Sequence, residues 1–434
     1  MDGLSADRLY GIVKTSFSVV KDEVNKKPIY QLKDILLSGL AIFSQKYPSL
    51  LSFENDLASS DAKTHNLKSL MGIEAIPSDT QMRERIDRID TAQLRPVFLD
   101  VHKHAKDKGV YDQFIYNDYF LLAVDGTGLF SSDSIFCDSC MTKKRSSGEI
   151  SYEHQALAMV MMHPDKKQVL PLAPEFISNQ DGHTKNDSER NAAKRLLVKT
   201  RAENPEMPII IVEDGLSSNA PHIELLKELN MGFILGAKPG DHTFLFKNLE
   251  TAREDNTLDS FTVNIDGIKH EVEILKNARL NASTQIQINL IQIKITNKKG
   301  KTTTFSRVTD QVLNRETWHQ IMRAGRCRWK IENETFNTLK NQGYNFEHNY
   351  GHGYKHLCNN FGTLMFLQFL LDQLMELGWP LFQTVRDMHS NRQTIWNHIR
   401  ALFFFMPLPN WNDLFLILTG KLRIGLIPVE SNSS

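Results

Sequence analysis

Three acidic residues stand far apart in this chain, each in a setting where a carboxylate could bind a divalent metal ion. Asp125 and Asp214 each follow a short apolar run, and a glycine comes directly after each of them. An apolar run too short for a helix is typical of a buried strand, and the glycine predicts an immediate turn that leaves the carboxylate at the strand's carboxyl end. Glu332 stands instead in a helical context among basic residues.

Together the three carboxylates could hold two divalent cations about 4 Å apart, an arrangement that promotes in-line attack at a phosphodiester. Taken singly, each has a simpler interpretation. An Asp-Gly pair after a strand is commonly a turn, and Glu332 could pair with Arg328 one helical turn earlier. If the two strands are neighbours and the basic helix crosses their edge, however, three unpaired acids would converge. Because such acids repel one another, a divalent cation is the usual reason for the cluster.

The composition is that of an ordinary globular protein with room for two or three domains. Of 434 residues, 41% are hydrophobic and 24% are charged, and only four are cysteine. So few cysteines argue against a disulfide scaffold and fit a reducing compartment. We see no signal-peptide pattern, and polar residues interrupt the apolar stretch at 361–377, which predicts a core helix rather than a membrane span.

The charge of the chain is balanced overall but unevenly distributed. The formal net charge is zero, which by itself counts against a nucleic-acid-binding protein, yet residues 296–343 contain ten Lys or Arg and four acids. A local basic stripe of this kind is sufficient to contact phosphates.

Hydrophobic periodicity divides the chain into regions of different character. The first is helical and predicts either a domain that binds DNA ends or a plain helical bundle. Strands then alternate with helices, which predicts a mixed or parallel sheet covered by helices, and a β-rich block with a hairpin turn at Asp266-Gly267 interrupts this pattern. The predicted boundaries are 1–110 for the helical N-terminal domain, 111–240 for the first part of the core, 241–310 for the β insertion, 311–380 for the second part of the core with the helix of Glu332, and 381–434 for a helical C-terminal region with a short disordered tail.

Several short phrases of the sequence form a further pattern around the acids. They are Asp125-Gly126-Thr127 with Ser131-Ser132, His163-Pro164-Asp165, Leu170-Pro171-Leu172, Pro174-Glu175-Phe176, Gln180-Asp181-Gly182, Asp187-Ser188-Glu189-Arg190-Asn191-Ala192, Asp214-Gly215-Leu216 and Arg328-Trp329-Lys330-Ile331-Glu332-Asn333. In their order, and in the position of the β insertion, they resemble the DDE transposases of bacterial insertion sequences, in the branch with a β-rich insertion before the catalytic glutamate. The resemblance covers roughly residues 70–380.

The resemblance implies an α/β fold, with a ribonuclease H-like core, a helical N-terminal domain, an inserted antiparallel β subdomain and a helical C-terminal region. It implies a transposase that cleaves the ends of a mobile element and joins them to target DNA by two-metal-ion phosphoryl transfer. Asp125, Asp214 and Glu332 would be the catalytic, metal-binding triad, with Mg²⁺ as the cofactor and Mn²⁺ able to substitute. The implied partners are terminal inverted repeats, target DNA and a second copy of the chain in a homodimer on DNA, with no membrane. The implied location is the bacterial cytoplasm, at the nucleoid.

The sequence departs from the family pattern near its third acid. This branch carries tyrosine, arginine, glutamate and lysine at set spacings, and Arg328 stands at the expected four residues before Glu332, but Gly325 occupies the tyrosine position. The lysine should come seven residues after the glutamate, and Lys340 comes one residue later. Either a local bulge shifts Lys340, or Glu334 is the true anchor. The phrase Trp-Lys-Ile-Glu favours Glu332.

Basic residues near the third acid and in the β insertion are predicted to bind DNA phosphates. They are Arg328, Lys330, Lys340, Lys298 and Lys299. Arginine offers a bidentate fork and lysine a point charge. The turn that holds Lys298, Lys299 and Lys301 could equally be a solubilising hairpin tip, and we expect the β insertion to form a separate antiparallel unit. We also expect Trp329 in the core rather than stacked on a base, and Asp187 as a helix cap.

Cys137 and Cys140 form a Cys-x-x-Cys pair. Two cysteines do not make a zinc site, although His352, His356 and Cys358 could supply the remaining ligands. The sequence favours reduced, mostly buried thiols over a structural zinc ion.

Two other functions stay open beside transposition. One is a metal-dependent DNA nuclease or resolvase with the same core but no strand transfer, and the other is a non-catalytic DNA-binding derivative. The complete β insertion favours strand transfer, and three intact acids argue against a non-catalytic derivative. No Gly-x-Gly-x-x-Gly follows a predicted strand, which argues against a dinucleotide-binding dehydrogenase.

Overall fold

The computed structural model describes residues 2–21, 28–177, 189–423 and 425. The phrase at residues 180–182, the predicted helix cap Asp187 and the predicted disordered tail at 430–434 lie outside these residues. The helices are α1 Ala6–Phe17, α2 Leu32–Ser44, α3 Leu50–Ala58, α4 Asp61–Ser69, α5 Asp79–Asp87, α6 Arg95–Asp107, α7 Glu189–Glu203, α8 Ala220–Glu228, α9 Thr243–Glu254, α10 Trp318–Cys327, α11 Asn337–Asn341, α12 Leu357–Gly378, α13 Pro380–Met388, α14 Arg392–Phe405 and α15 Trp411–Leu418.

Strands fill the middle of the chain. They are β1 Ile115–Tyr116, β2 Tyr119–Ser132, β3 Met141–Lys144, β4 Ile150–Met162, β5 Leu170–Pro171, β6 Glu175–Ile177, β7 Ile209–Glu213, β8 Gly232–Gly236, β9 Asp259–Ile265, β10 Ile268–Arg279, β11 Gln287–Thr296 and β12 Thr302–Thr309. A π-helical segment, Ile331–Phe336, lies between α10 and α11.

The chain forms two compact units. The helical unit comprises Met1–Val110, Leu129–His154 and Asn337–Ser434, and the sheet unit comprises Tyr111–Gly128 and Gln155–Phe336. The helical unit is therefore assembled from the N-terminal part of the chain, the C-terminal part and one internal segment.

The helical unit is built around α12, which is buried along most of its length. α2 approaches α12 so closely that a β-carbon added at Gly39 would lie 3.0 Å from Leu364. The apolar stretch at 361–377 thus forms a core helix, and that prediction is confirmed. Within the described ranges, no helix combines the length and apolar character needed to cross a membrane.

The sheet unit is organised around β2. On one side, β2, β7 and β8 run parallel, with Phe120 paired to Ile209 and Ala123 to Val212. On the other side lies β4, to which β5 and β6 pair antiparallel. All five residues of β7 are buried, as expected for an interior parallel strand covered on both faces. This strand order is that of a ribonuclease H-like core, so the predicted fold class is confirmed.

Helices cover the core strands of the sheet unit. α7 packs against β6, α8 packs against β8, and α10 packs against both β7 and β8. α10 leads directly into the segment that carries Glu332, so the packing of α10 on the sheet sets where that residue lies.

The β insertion extends the core sheet instead of standing apart from it. β9, β10, β11 and β12 form an antiparallel meander, as predicted. β12 then pairs with β8, with Arg307 opposite Gly236 and Thr309 opposite Ile234. The prediction of a separate unit is therefore wrong. Pairing with β12 satisfies the backbone groups along the edge of β8 that a separate unit would have left exposed.

Candidate active site

Asp125 on β2 and Asp214, the residue directly after β7, occupy equivalent positions along two neighbouring parallel strands. The last residue pair between β2 and β7 is Ala123 with Val212. Asp125 comes two residues after Ala123, and Asp214 comes two residues after Val212. Because neighbouring strands lie about 4.8 Å apart, the two aspartates meet at the same edge of the sheet.

Gly126 does not turn the chain, which corrects the sequence prediction. β2 continues through it to Ser132. A β-carbon at Gly126 would lie 3.2 Å from Cδ and Oε2 of Glu189, the first residue of α7. The absence of a side chain at Gly126 thus leaves room for the Glu189 carboxylate close to this strand, and a larger residue would require Glu189 to shift by a few tenths of an ångström.

At Asp214 the predicted turn does form. The Asp214 carboxylate accepts a hydrogen bond from the Leu216 backbone N–H at 2.9 Å and caps a short 3₁₀ helix, Gly215–Ser217. Gly236 on β8 allows this turn to approach closely, because a β-carbon there would lie 2.8 Å from the Gly215 nitrogen.

Arg328 links the first acid to the third. Its Nη1 lies 3.2 Å from Oδ2 of Asp125, and its Nη2 lies 2.7 Å from Oε1 of Glu332. The Arg328 side chain is largely buried, while both carboxylates stay partly exposed. The Arg328 guanidinium thus binds Asp125 through one terminal nitrogen and Glu332 through the other. This double contact places Glu332 beside the sheet edge.

Glu332 belongs to the π-helical segment Ile331–Phe336. A π-helical turn contains one more residue than an α-helical turn, and such segments occur often at functional sites. An extra residue is also the difference between the family spacing of seven and the observed spacing of eight from Glu332 to Lys340.

The carboxylates influence each other electrostatically. Burial, together with the charges of Glu332 and Asp214, raises the pKa of Asp125, although Arg328 opposes the shift. Desolvation by the surrounding protein, together with the charges of Asp125 and Asp214, likewise raises the pKa of Glu189. Four carboxylates therefore share one region, and bringing them together costs free energy unless positive charge accompanies them.

Arg307 on β12 supplies positive charge from the β insertion. It is half-buried, and burial and the Arg328 charge lower its pKa to about 10, while Asp214 acts in the opposite direction. A β-carbon at Gly325 would lie 3.0 Å from the Arg307 Nε. Arg307 thus fills the space beside Gly325, the position at which the sequence resemblance implied a tyrosine.

Comparison with known proteins matches the transposase DDE domain family at residues 147–370, more than half of the 434-residue chain. This chain belongs to the DDE transposase family. Among solved structures it is similar to a piggyBac transposase in a synaptic complex with hairpin DNA, with 11% sequence identity, a TM-score of 0.41, and coverage of 97% of this chain and 79% of that chain. Comparison with curated proteins gives no match.

The donor set of this DDE transposase fits a divalent cation. Asp125, Asp214, Glu332 and Glu189 offer carboxylate oxygens, which are the ligands that Mg²⁺ and Mn²⁺ prefer in proteins. The pKa of Asp125 is raised mainly by burial and in smaller part by Glu332 and Asp214, and a bound cation would favour the ionised carboxylate against both influences.

A cleft of about 600 Å³ opens beside the acids of the transposase. Glu189, Val124 and Asn219 contribute to its walls. At its side, His222 Nε2 lies 2.6 Å from the Glu213 carboxylate, and both side chains are buried. Burial alone would lower the pKa of His222, but the Glu213 charge and hydrogen bond outweigh it and raise that pKa, so the wall of the cleft holds a coupled acid–histidine pair.

The other predicted DNA-binding residues occupy varied settings. Lys330 donates to the Lys166 carbonyl oxygen. Lys298 and Lys299 lie in the exposed turn between β11 and β12. In the helical unit, Lys340 pairs with Glu347 at 2.8 Å.

The prediction that Trp329 belongs to the core is wrong. The residue is 51% exposed. The indole is therefore accessible at the surface beside Arg328, on the helical segment that carries Glu332.

The sequence prediction included neither Arg307 nor Glu189 among the site residues. Arg307 lies in the β insertion, which was expected to stand apart, and its proximity follows from the pairing of β12 with β8. The empty tyrosine position at Gly325 was the one available signal, because a missing large side chain leaves space for another residue.

Proposed function

We propose that this chain is a cut-and-paste transposase that cleaves the ends of a mobile DNA element and joins them to target DNA by two-metal-ion phosphoryl transfer. Asp125, Asp214 and Glu332 would hold the metal, with Mg²⁺ as the cofactor and Mn²⁺ able to substitute. The observation that carries the proposal is the shared Arg328, which brings Glu332 from its helix to Asp125, while Asp214 stands at the equivalent position on the next strand. The same contact favours Glu332 over Glu334.

Bound metal would activate the attacking oxygen and stabilise the leaving oxygen of the phosphodiester. The chain's own residues would hold the ions and the DNA in place. Arg328 now pairs with carboxylates, and once a cation neutralises them its guanidinium is free to bind a phosphate through two parallel hydrogen bonds. Arg307 adds a second guanidinium near Asp214.

The proposed DNA contacts extend beyond the acids. Lys330, Lys340, Lys298 and Lys299 would bind phosphates of the terminal inverted repeats, and Trp329 would stack on an exposed base. Because two ends must be held together before joining, we propose a homodimer on DNA. The proposed location is the bacterial cytoplasm, at the nucleoid.

The test compares charge-neutral ligand variants with a matched control. Asp125→Asn, Asp214→Asn and Glu332→Gln each remove a ligand charge and keep side-chain volume, and Glu334→Gln makes the same change two residues from the third acid. DNA fragments that contain the genomic sequence flanking the coding region would be incubated with Mg²⁺ or Mn²⁺. Cleavage and strand joining would be scored separately on denaturing gels.

We expect loss of cleavage in the three ligand variants, with circular dichroism and DNA binding close to wild type, and normal cleavage in Glu334→Gln. Cleavage retained in Glu332→Gln and lost in Glu334→Gln would identify Glu334 as the ligand. Cleavage by the wild type without joining, on substrates that carry both ends and target DNA, would support the nuclease or resolvase alternative.

A further inference from the structure

Four potential metal ligands converge in the helical unit. They are Cys137 and Cys140 before β3, His154 on β4, and His352 before α12, and their ligand atoms all lie within 4.8 Å of one another. Cys140, His154 and His352 are buried, and Cys137 is half-buried. His352 is separated from Cys140 by 212 positions in the sequence, so only the fold brings this set together.

The distances between these atoms match the edges of a tetrahedron around one zinc ion. With Zn–S near 2.3 Å and Zn–N near 2.05 Å, tetrahedral geometry requires about 3.8 Å between two sulfurs and about 3.5 Å between sulfur and nitrogen. The two Sγ atoms lie 3.8 Å apart, and His154 Nε2 lies 3.4 Å from Cys137 Sγ and 3.3 Å from Cys140 Sγ. His352 Nε2 lies 3.2 Å from Cys140 Sγ.

Both histidines are held in the orientation that a metal ligand needs. His154 Nδ1 lies 3.1 Å from the side-chain oxygen of Asn359, and His352 Nδ1 lies 2.8 Å from the Gly353 carbonyl oxygen. Each Nδ1–H therefore donates to an acceptor, which leaves the lone pair of each Nε2 directed at the thiols. Such outer hydrogen bonds fix the tautomer of zinc-binding histidines.

One aromatic ring packs against both histidines of the cluster. Phe130 lies 4.5 Å from the His352 ring and 6.1 Å from the His154 ring, centroid to centroid. An apolar surrounding strengthens metal–thiolate attraction, and two thiolates with two neutral imidazoles balance the charge of a divalent ion.

The segment that carries His352 is also anchored independently of the cluster. The Asp87 carboxylate accepts hydrogen bonds from the backbone N–H groups of Tyr354, Lys355, His356 and Leu357. This anchor positions His352 in advance, so the site needs little rearrangement to bind an ion.

We propose that Cys137, Cys140, His154 and His352 bind a structural zinc ion that ties the β3–β4 hairpin to the start of α12. Four protein ligands complete a tetrahedral shell and leave no position for substrate, which is typical of structural and not catalytic zinc. Thiolate and imidazole ligands select Zn²⁺, whereas the carboxylates of the active site suit Mg²⁺. The two sites therefore bind different metals, and the zinc proposal is independent of the proposed function.

A disulfide between Cys137 and Cys140 is the main competing interpretation. The observed 3.8 Å between their sulfurs is far longer than the bond of about 2.05 Å, and a disulfide would leave both histidine Nε2 atoms without a ligand role. The sequence argument favoured free thiols because it considered His356 and Cys358 and missed His154. The signal was present, since Cys-x₂-Cys-x₁₃-His falls within the spacing of known zinc motifs.

The first test measures metal in the intact wild-type protein, purified under reducing conditions from zinc-supplemented cells. We expect one zinc ion per chain by elemental analysis. Exchange with Co²⁺ should produce the visible bands of a tetrahedral site and a thiolate-to-cobalt charge-transfer band. A wild-type protein that carries far less than one zinc ion per chain, and takes up neither Zn²⁺ nor Co²⁺ after reduction, would overturn the proposal.

The second test assigns the ligands. Cys140→Ser and His352→Ala should lose most of the zinc, whereas Cys358→Ser, a change at a buried cysteine of the same unit, should keep one ion per chain. Cys140→Ser and His352→Ala could aggregate without zinc, and Cys137→His then provides a variant that keeps four ligands. It should retain the ion and show about half the cobalt charge-transfer intensity, because one thiolate remains. Full zinc content in soluble Cys140→Ser would exclude this site.

Discussion

Arg328 and Asp125 form an ion pair, 3.2 Å between Nη1 and Oδ2, across 203 residues of sequence. The same guanidinium also binds Glu332. Arg328 therefore occupies carboxylate oxygens of two proposed metal ligands, and a bound cation would compete with it for them.

The competition predicts opposite effects of Arg328→Gln on two ligands. Without DNA, Mn²⁺ should bind several-fold more tightly, because a competing cation has been removed. DNA should bind more weakly, and the log–log slope of its affinity against salt should fall by roughly one unit. Calorimetry with Mn²⁺ and a salt titration of DNA binding measure the two effects. Arg326→Gln is the control, since Arg326 is exposed on α10, and Mn²⁺ affinity unchanged in Arg328→Gln would contradict the competition.

Packing of Arg307 against α10 predicts that Gly325 tolerates no side chain. A β-carbon there would lie 3.0 Å from Arg307 Nε and 3.3 Å from Ile234 Cγ2. Gly325→Ala should lower the free energy of unfolding by about 1–3 kcal/mol, as overpacking does, and urea denaturation measures it. Gly240→Ala, whose added β-carbon would meet nothing within 4 Å, should be neutral. Equal stability of the two variants would show that Arg307 moves aside without cost.

Exposure of Trp329 predicts a role in DNA binding without a role in stability. Trp329→Ala should weaken DNA binding by roughly 5- to 150-fold, the loss of about 1–3 kcal/mol of base stacking, and leave the unfolding free energy nearly unchanged. Trp318→Ala, at a buried position of α10, should instead destabilise the fold by about 3–5 kcal/mol. Fluorescence anisotropy and urea denaturation separate the two. Normal DNA affinity in Trp329→Ala would make the indole a surface residue only.

The His222–Glu213 pair predicts a pH-dependent stability. Because the folded protein raises the pKa of His222, the pair stabilises fully below the ordinary histidine value of about 6.5 and loses its contribution as pH rises through the folded value. The difference in unfolding free energy between wild type and His222→Gln should therefore shrink as pH rises above about 6.5. In a Glu213→Gln background that pH dependence should disappear, and its persistence would assign it to another group.

The exposed turn between β11 and β12 predicts a phosphate contact. Replacing Lys298, Lys299 and Lys301 together with Gln should reduce assembly of paired DNA ends more than cleavage of a single end, because the turn lies at the opposite end of β12 from the residues that pair with β8. Native gel electrophoresis and the cleavage assay measure these separately. If both proceed at wild-type levels, the turn is a solubilising hairpin tip.

Much of the core was predictable because the signals are local. The apolar runs before Asp125 and Asp214 predicted strands, and burial of β7 follows from its composition alone. Alternating polarity around Asp266-Gly267 predicted the hairpin of β9 and β10, since side chains alternate between the faces of a strand. These conclusions depend on near neighbours in the chain, which the sequence shows directly.

Local patterns and the family resemblance predicted the strands before Asp125 and Asp214, the ribonuclease H-like core and the antiparallel pairing of the insertion. Tertiary structure decided that Gly126 admits Glu189, that Arg307 fills the space at Gly325, and that His154 and His352 meet two cysteines. These relationships join residues far apart in the chain and depend on side-chain volume and strand pairing in three dimensions. Local patterns of polarity fix which face a residue takes, but close packing fixes which distant residue it meets.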